Sequence, residues 1–213
     1  MRFCLNCILL YLLQGASLVV IHRLNRRAVL GLGLALWLAP VPARSASPHE
    51  AHVTGLLEEL IALAKYDGAE QRKRLGKVLH KRADVRAIAL FALGTWRSKM
   101  PKDMSPDYVN LVVNYTANAF IDYVNRFSGA VVAIEGSSSQ GGFTTVDAKL
   151  TYAEGRSSQI RFRYANTGTP RVKDVNVQGI WLSLQLRERF SGLLKRNNGD
   201  FAELMAFLRS NSA

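Results

Sequence analysis

The order of hydrophobic patterns along this chain predicts an α+β fold: a four-stranded antiparallel meander sheet packed on one face by several helices, with an apolar cavity between sheet and helices. Three observations predict it. Stripes at helical spacing occupy residues 48–127, alternation at strand spacing occupies 130–178, and helical spacing returns after Gly179. Strands and helices do not alternate as a parallel sheet requires.

The first 46 residues read as an address. Arg23, Arg26 and Arg27 precede an apolar run from Ala28 to Ala39, then Pro40 and Pro42, then the small residues around Ala43 and Ala46. That is the order of a secretory signal with its cleavage site. The run is too short to cross a bilayer, which takes about 20 residues. Asn25-Arg-Arg-Ala-Val-Leu30 also resembles a twin-arginine signal, with Gly31 and Gly33 loosening its core. Met1 to Ile21 forms a second apolar run ahead of a leader already complete, so translation is expected to start further in, at Val19, Val20 or Leu24, the competing reading being an N-terminal membrane helix; mass spectrometry of the precursor separates the two. A single domain is expected over residues 47–213.

Both cysteines, Cys4 and Cys7, fall in the leader, which excludes a disulfide, a thiolate nucleophile or a Cys-ligated metal from that domain. The chain carries a net charge of +12; five of its 28 basic residues and none of its 16 acidic ones lie in the leader, leaving +7 on the domain. An exported basic protein is expected to meet anionic lipid surfaces or acidic partner proteins rather than nucleic acid.

Pro48 opens the first helix, whose stripe is Val53, Leu56, Leu57, Leu60, Ile61 and Ala64. After Asp67-Gly68 a second helix sets Arg72-Lys-Arg74, Lys77, Lys81 and Arg82 against Leu75, Val78 and Leu79; such a basic face is a solvated surface or a transient membrane contact. Asp84 caps a third, Val85 to Leu93, apolar nearly all round and expected to be buried, with Gly94 ending it. Ser105-Pro-Asp107 starts a fourth that runs to about Phe127 with Tyr108, Tyr115 and Tyr123 on one stripe. Strands follow at Ala130–Glu135, Phe143–Ala153, Ser158–Ala165 and Arg171–Gln178, joined by turns at Gly136–Gly142, Glu154-Gly155 and Asn166–Thr169. The last strand is expected to run through Gly179 into a helix with almost no loop. A final helix starts at Asp200 with Glu203 three residues on.

Candidate catalytic groups are few. His49 and His52 stand in a His-x-x-His spacing without further ligands nearby, so no metal is expected. No nucleophile elbow, phosphate-binding loop or dinucleotide fingerprint is present. Strand parity places Val146, Leu150, Tyr152, Ile160, Phe162, Tyr164, Val175 and Val177 toward the helices, and Asp147 and Asp174 away from them, to pair with Arg161, Arg163 or Lys149. Lys173 shares parity with Val175 and is expected either at the mouth of the cavity, near a phosphate, or past the sheet edge in water. The residues describe a greasy binding site better than a reaction centre. A small enzyme with an isomerase- or dehydratase-like pocket, and a non-catalytic adaptor with a filled core, are the alternatives.

Leu93-Gly-Thr-Trp-Arg97, the tyrosine-bearing helix leading to Tyr123 and Gly129, and Val172-Lys-Asp-Val-Asn-Val-Gln-Gly-Ile180 ahead of Arg187, Arg189 and Phe190 resemble the MlaC, or toluene-tolerance, family over about Val53 to Leu208. The resemblance implies a monomeric periplasmic carrier, not an enzyme, that shuttles a phospholipid between an outer-membrane lipoprotein complex and an inner-membrane ABC transporter, with the phospholipid as cargo and no cofactor. On that reading Tyr115, Tyr123, Val146, Leu150, Tyr152, Ile160, Phe162, Tyr164, Val175, Val177, Ile180 and Trp181 line the cavity. Two positions depart from the family pattern: Pro170 stands where a Trp is common, and Trp181 where a small Ser is, which puts bulk close to the expected space.

Overall fold

The computed structural model describes residues 46–166 and 168–212; the expected leader, its cysteines and its cleavage site lie outside the described residues. The domain is α+β. Among the described residues, six α-helices, α1 (Pro48–Ala62), α2 (Gly68–Arg82), α3 (Val85–Ala92), α4 (Ser105–Arg126), α5 (Leu182–Arg196) and α6 (Phe201–Ser210), accompany five strands, β1 (Val131–Gln140), β2 (Phe143–Thr151), β3 (Ser157–Ala165), β4 (Val172–Val177) and β5 (Ile180–Trp181). The strands pair antiparallel in chain order.

The sheet thus has five strands, not four. Gln178 and Gly179, at φ 51° and 89°, form a two-residue turn that doubles the chain back onto β4 as β5 before α5 begins. Asn176 locks the turn by accepting from the Gly179 amide at 2.9 Å. β1 is also longer than its apolar run, because Gly136 to Gln140 stay paired with Asp147 to Phe143. The turn shrinks to Gly141 and Gly142, both at positive φ, and Glu135 is left over as a bulge.

Local chemistry accounts for the helix ends. Ser47 and Glu50 form a reciprocal capping box on α1, at 3.2 and 2.9 Å. The C-terminus of α2 is held by the Arg171 guanidinium, which donates to the His80 and Lys81 carbonyls. Asp84 accepts from the Ala87 amide at 3.0 Å to start α3. That helix is not buried all round: Ala89 and Ala92 are, but Phe91 is 39% exposed, because α4 and α5 cover only part of its circumference.

Two apolar cores result. The first lies between the sheet and α1, α2 and the C-terminal half of α4; the second is made by α3, α5, α6 and the N-terminal half of α4. At 22 residues, or about 33 Å, α4 is long enough to serve both.

Candidate functional site

The side of the sheet facing the helices carries continuous apolar rows set by register. Ile134, Ala148, Ile160 and Val177 stand side by side across β1 to β4, with Ile180 beside Val177 on β5. The next row is Ser137, Val146, Phe162 and Val175, and another pairs Val132 with Leu150 and Ser158. Opposite them pack Val53, Leu56 and Leu57 of α1, Leu75 and Val78 of α2, and Ala117, Val124 and Phe127 of α4 and its end.

At the centre of this face the side chains are closely packed. Val146 and Tyr164 are 0% exposed and Leu150 and Phe162 no more than 3%, whereas a side chain beside a water-sized void would show surface to it. The margins are looser. Tyr123, Tyr152, Val175, Val177 and Ile180 are all half-buried. The Tyr152 ring stacks on Phe127 with centroids 6.4 Å apart and its hydroxyl donates to Ser158 Oγ, while Tyr123 lies against Phe120.

Two of the expected lining residues lie elsewhere. Tyr115 sits in the second core, edge-on to Phe190 at 5.5 Å. Trp181 pairs with Asn176 and faces away from the helices, where the Arg163 guanidinium lies over its ring at 3.7 Å. Its bulk therefore takes no space in the interior. The β4–β5 turn is the cause, since reversing the chain restarts the in-and-out alternation and brings Ile180 inward and Trp181 outward.

The charged groups have structural employment. Asp147 accepts from Arg161 at 2.6 Å on the outer face. Asp174 is buried, not paired across the sheet: its carboxylate accepts from the Ser183 hydroxyl at 2.6 Å, the Ser183 amide at 3.1 Å and the Val175 amide at 2.9 Å, fastening α5 to β4. Lys173 is the extra residue of a bulge in β4 and forms an ion pair with Asp84 at 2.5 Å, so it stands at neither the cavity mouth nor a free edge.

Polar ties that sequence reasoning missed hold α1 on the sheet. Ser137 Oγ donates to Glu50 at 2.6 Å, and His52 Nδ1 shares a hydrogen bond of 3.0 Å with the buried Tyr164 hydroxyl. Burial, then the neighbouring Arg82 cation, pushes the His52 imidazole below its ordinary value, and burial pushes the Tyr164 phenol up. Arg82 and Lys81 grip Glu59 at 2.7 and 2.6 Å, tying α1 to α2, and the Arg82 hydrogen bond lowers that carboxyl to about 2. The capping box at Ser47–Glu50 was the available signal for Glu50; the distant partners had none. Among the described residues no three His, Cys, Asp or Glu side chains converge as a metal site, and no helix is long and apolar enough to cross a membrane.

Comparison with known proteins bears on this architecture. No functionally curated protein matches the sequence. A phospholipid-binding protein from Ralstonia solanacearum, solved in complex with a phospholipid, is similar in structure, with a TM-score of 0.68 at 16% identity, over 78% of this chain and 97% of that one. That likeness establishes the shared fold. The model of the MlaC protein family matches residues 52–210, and with three-quarters of the chain so covered, this protein belongs to the MlaC family.

Proposed function

We propose that this protein binds a phospholipid between its sheet and its helices and carries it through the periplasm, between an outer-membrane lipoprotein complex and an inner-membrane ABC transporter. The observation that carries the reading is the uncharged apolar face, four strands wide, turned toward a helical layer within this family's fold. The phospholipid held by the similar Ralstonia solanacearum protein supports it, and the leader-like order of residues 23–46 supports export.

Two acyl chains, roughly 30 methylenes at about 0.8 kcal/mol each, cost on the order of 25 kcal/mol to expose to water, so unaided transfer across an aqueous gap is negligible. An apolar interior removes most of that barrier. Because the side chains at the centre of the face are closely packed, the cargo enters by parting the helices from the sheet. The protein acts as a binding protein rather than an enzyme, and direction comes from partners that favour loading at one membrane and release at the other.

Native mass spectrometry of the purified protein after incubation with phospholipid vesicles tests the reading. One phospholipid per chain is expected, and Val175→Asp or Val177→Asp, at half-buried positions of the same face, should reduce loading in variants whose circular dichroism matches the wild type. A folded wild-type chain that takes up no phospholipid would refute it.

A further inference from the structure

Among the described residues, three of the four large apolar side chains most open to solvent lie along one strip on the opposite side of the sheet and around the start of α5: Phe143 at 45%, Leu184 at 51% and Phe91 at 39%. The strip is continuous. Arg163 bridges Phe143 and Trp181, its guanidinium 5.8 and 3.7 Å from their ring centres. Trp181, Leu184 and Arg187 follow at three-residue spacing, about 9 Å along the helix axis. Arg187 then lies over Phe91 at 5.2 Å, beside a hollow of about 210 Å³ walled by Leu90, Gly94 and Arg97.

None of the ion pairs formed among the described residues uses Arg97, Arg163 or Arg187. Two of these cations lie over aromatic rings, Arg163 over Trp181 and Arg187 over Phe91, and a guanidinium so placed still has N–H donors to offer a carboxylate. Aromatic and arginine side chains of this kind are the groups that dominate protein interfaces. Glu188 is the single acid in α5, so the strip is basic as well as partly apolar.

We infer that this strip is a docking surface for an acidic, amphipathic segment of a partner protein, its carboxylates meeting Arg163, Arg187 and Arg97 and an apolar side chain entering the hollow. A bilayer is a poorer fit. Membrane-inserting surfaces project apolar groups beyond their cations, whereas here the Arg163 and Arg187 guanidinium groups lie over the Trp181 and Phe91 rings. The strip is separate from the apolar interior, so the inference stands independently of the cargo.

Three 14-residue helical peptides, identical in their leucines but with Glu, Gln or Lys at the polar positions, provide the test, alongside vesicles of 4:1 phosphatidylcholine and phosphatidylglycerol. The readout is the Trp181 indole N–H in two-dimensional NMR. The Glu peptide is expected to shift that signal saturably, more tightly than the Gln peptide, and to lose about tenfold in affinity in Arg163→Glu or Arg187→Glu, with phospholipid loading retained. Arg163→Gln and Arg187→Gln should show the same loss in smaller measure, which guards against a fold defect in the reversals. Equal binding of the Glu and Gln peptides, affinity unchanged within about twofold in the charge reversals, or a Trp181 shift with vesicles but not with the Glu peptide would each overturn it.

Discussion

His52 and Tyr164 make a contact whose pH dependence follows from its surroundings. The imidazole is held below its ordinary value of 6.5 chiefly by burial, with Arg82, His49 and Arg171 adding to the effect and Glu59 opposing it. Below about pH 6.5 the unfolded chain then takes up a proton more readily than the folded one, so folding stability falls as pH is lowered through that range and levels off below the folded-state value. Urea titrations at pH 7.5 and 5.5 should show this loss, and His52→Gln should remove its share. Tyr164→Phe should cost about 1 kcal/mol at neutral pH, the usual worth of one such hydrogen bond. Asp174 has more at stake. Its carboxylate is buried with three donors, two of them on Ser183, and Asp174→Ala leaves those donors without an acceptor. The expected loss is about 2 kcal/mol by equilibrium denaturation. Gly199 has the least room of all. A Cβ added there would lie 2.3 Å from the Trp96 ring at φ 82°, so Gly199→Ala should cost at least about 2 kcal/mol. Trp96 and Gly94 belong to the Leu93–Arg97 motif, and their positions show what that motif does: it ends α3 and seats a ring against the α5–α6 turn.

Two attachments of the first helix, through His52 and Glu59, are sensitive to acid. Its ties to the sheet run through Glu50 and His52, and its tie to α2 through Glu59. Glu59 has its folded-state value depressed from 4.5 to about 2, so its stabilising contribution is complete above 4.5 and disappears as pH falls toward 2. The His52 contact weakens at milder pH. Hydrogen exchange should therefore show α1 losing protection before α4 as pH drops from 7.5 to 5.5, while equal loss in both helices would place the weakness elsewhere. Strand faces were legible in the sequence because a period of two is strict: Val146, Leu150, Ile160, Phe162, Val175 and Val177 all fall on the side the alternation assigns them. Two kinds of information were not. Alternation is silent about a reversal made by two residues at positive φ, and Gln178 is not a residue that advertises one, so Trp181 came out on the opposite face. A bulge is equally silent, and it removed Lys173 from the row of Val175.

Taken together, the domain is two cores joined by one long helix. The tyrosine stripe of α4 reads as a single face, yet Tyr108 and Tyr115 belong to the second core and Tyr123 to the first. Periodicity marks burial without naming the body on the other side, which is why Tyr115 could be placed on a buried face but not in the right core. The division also separates tasks. The sheet and α1 enclose the proposed cargo, while the second core braces α5 and with it the basic, partly apolar strip on the outer side. A phosphatidylethanolamine carrying a photoactivatable diazirine in one acyl chain can locate the cargo. After irradiation and peptide mapping, labelling is expected at Val146, Phe162 and Val175 and on the facing residues of α1 and the C-terminal half of α4. Labelling concentrated around Arg163 and Trp181, or none above that of an unfolded control, would contradict a phospholipid held between the sheet and the helices.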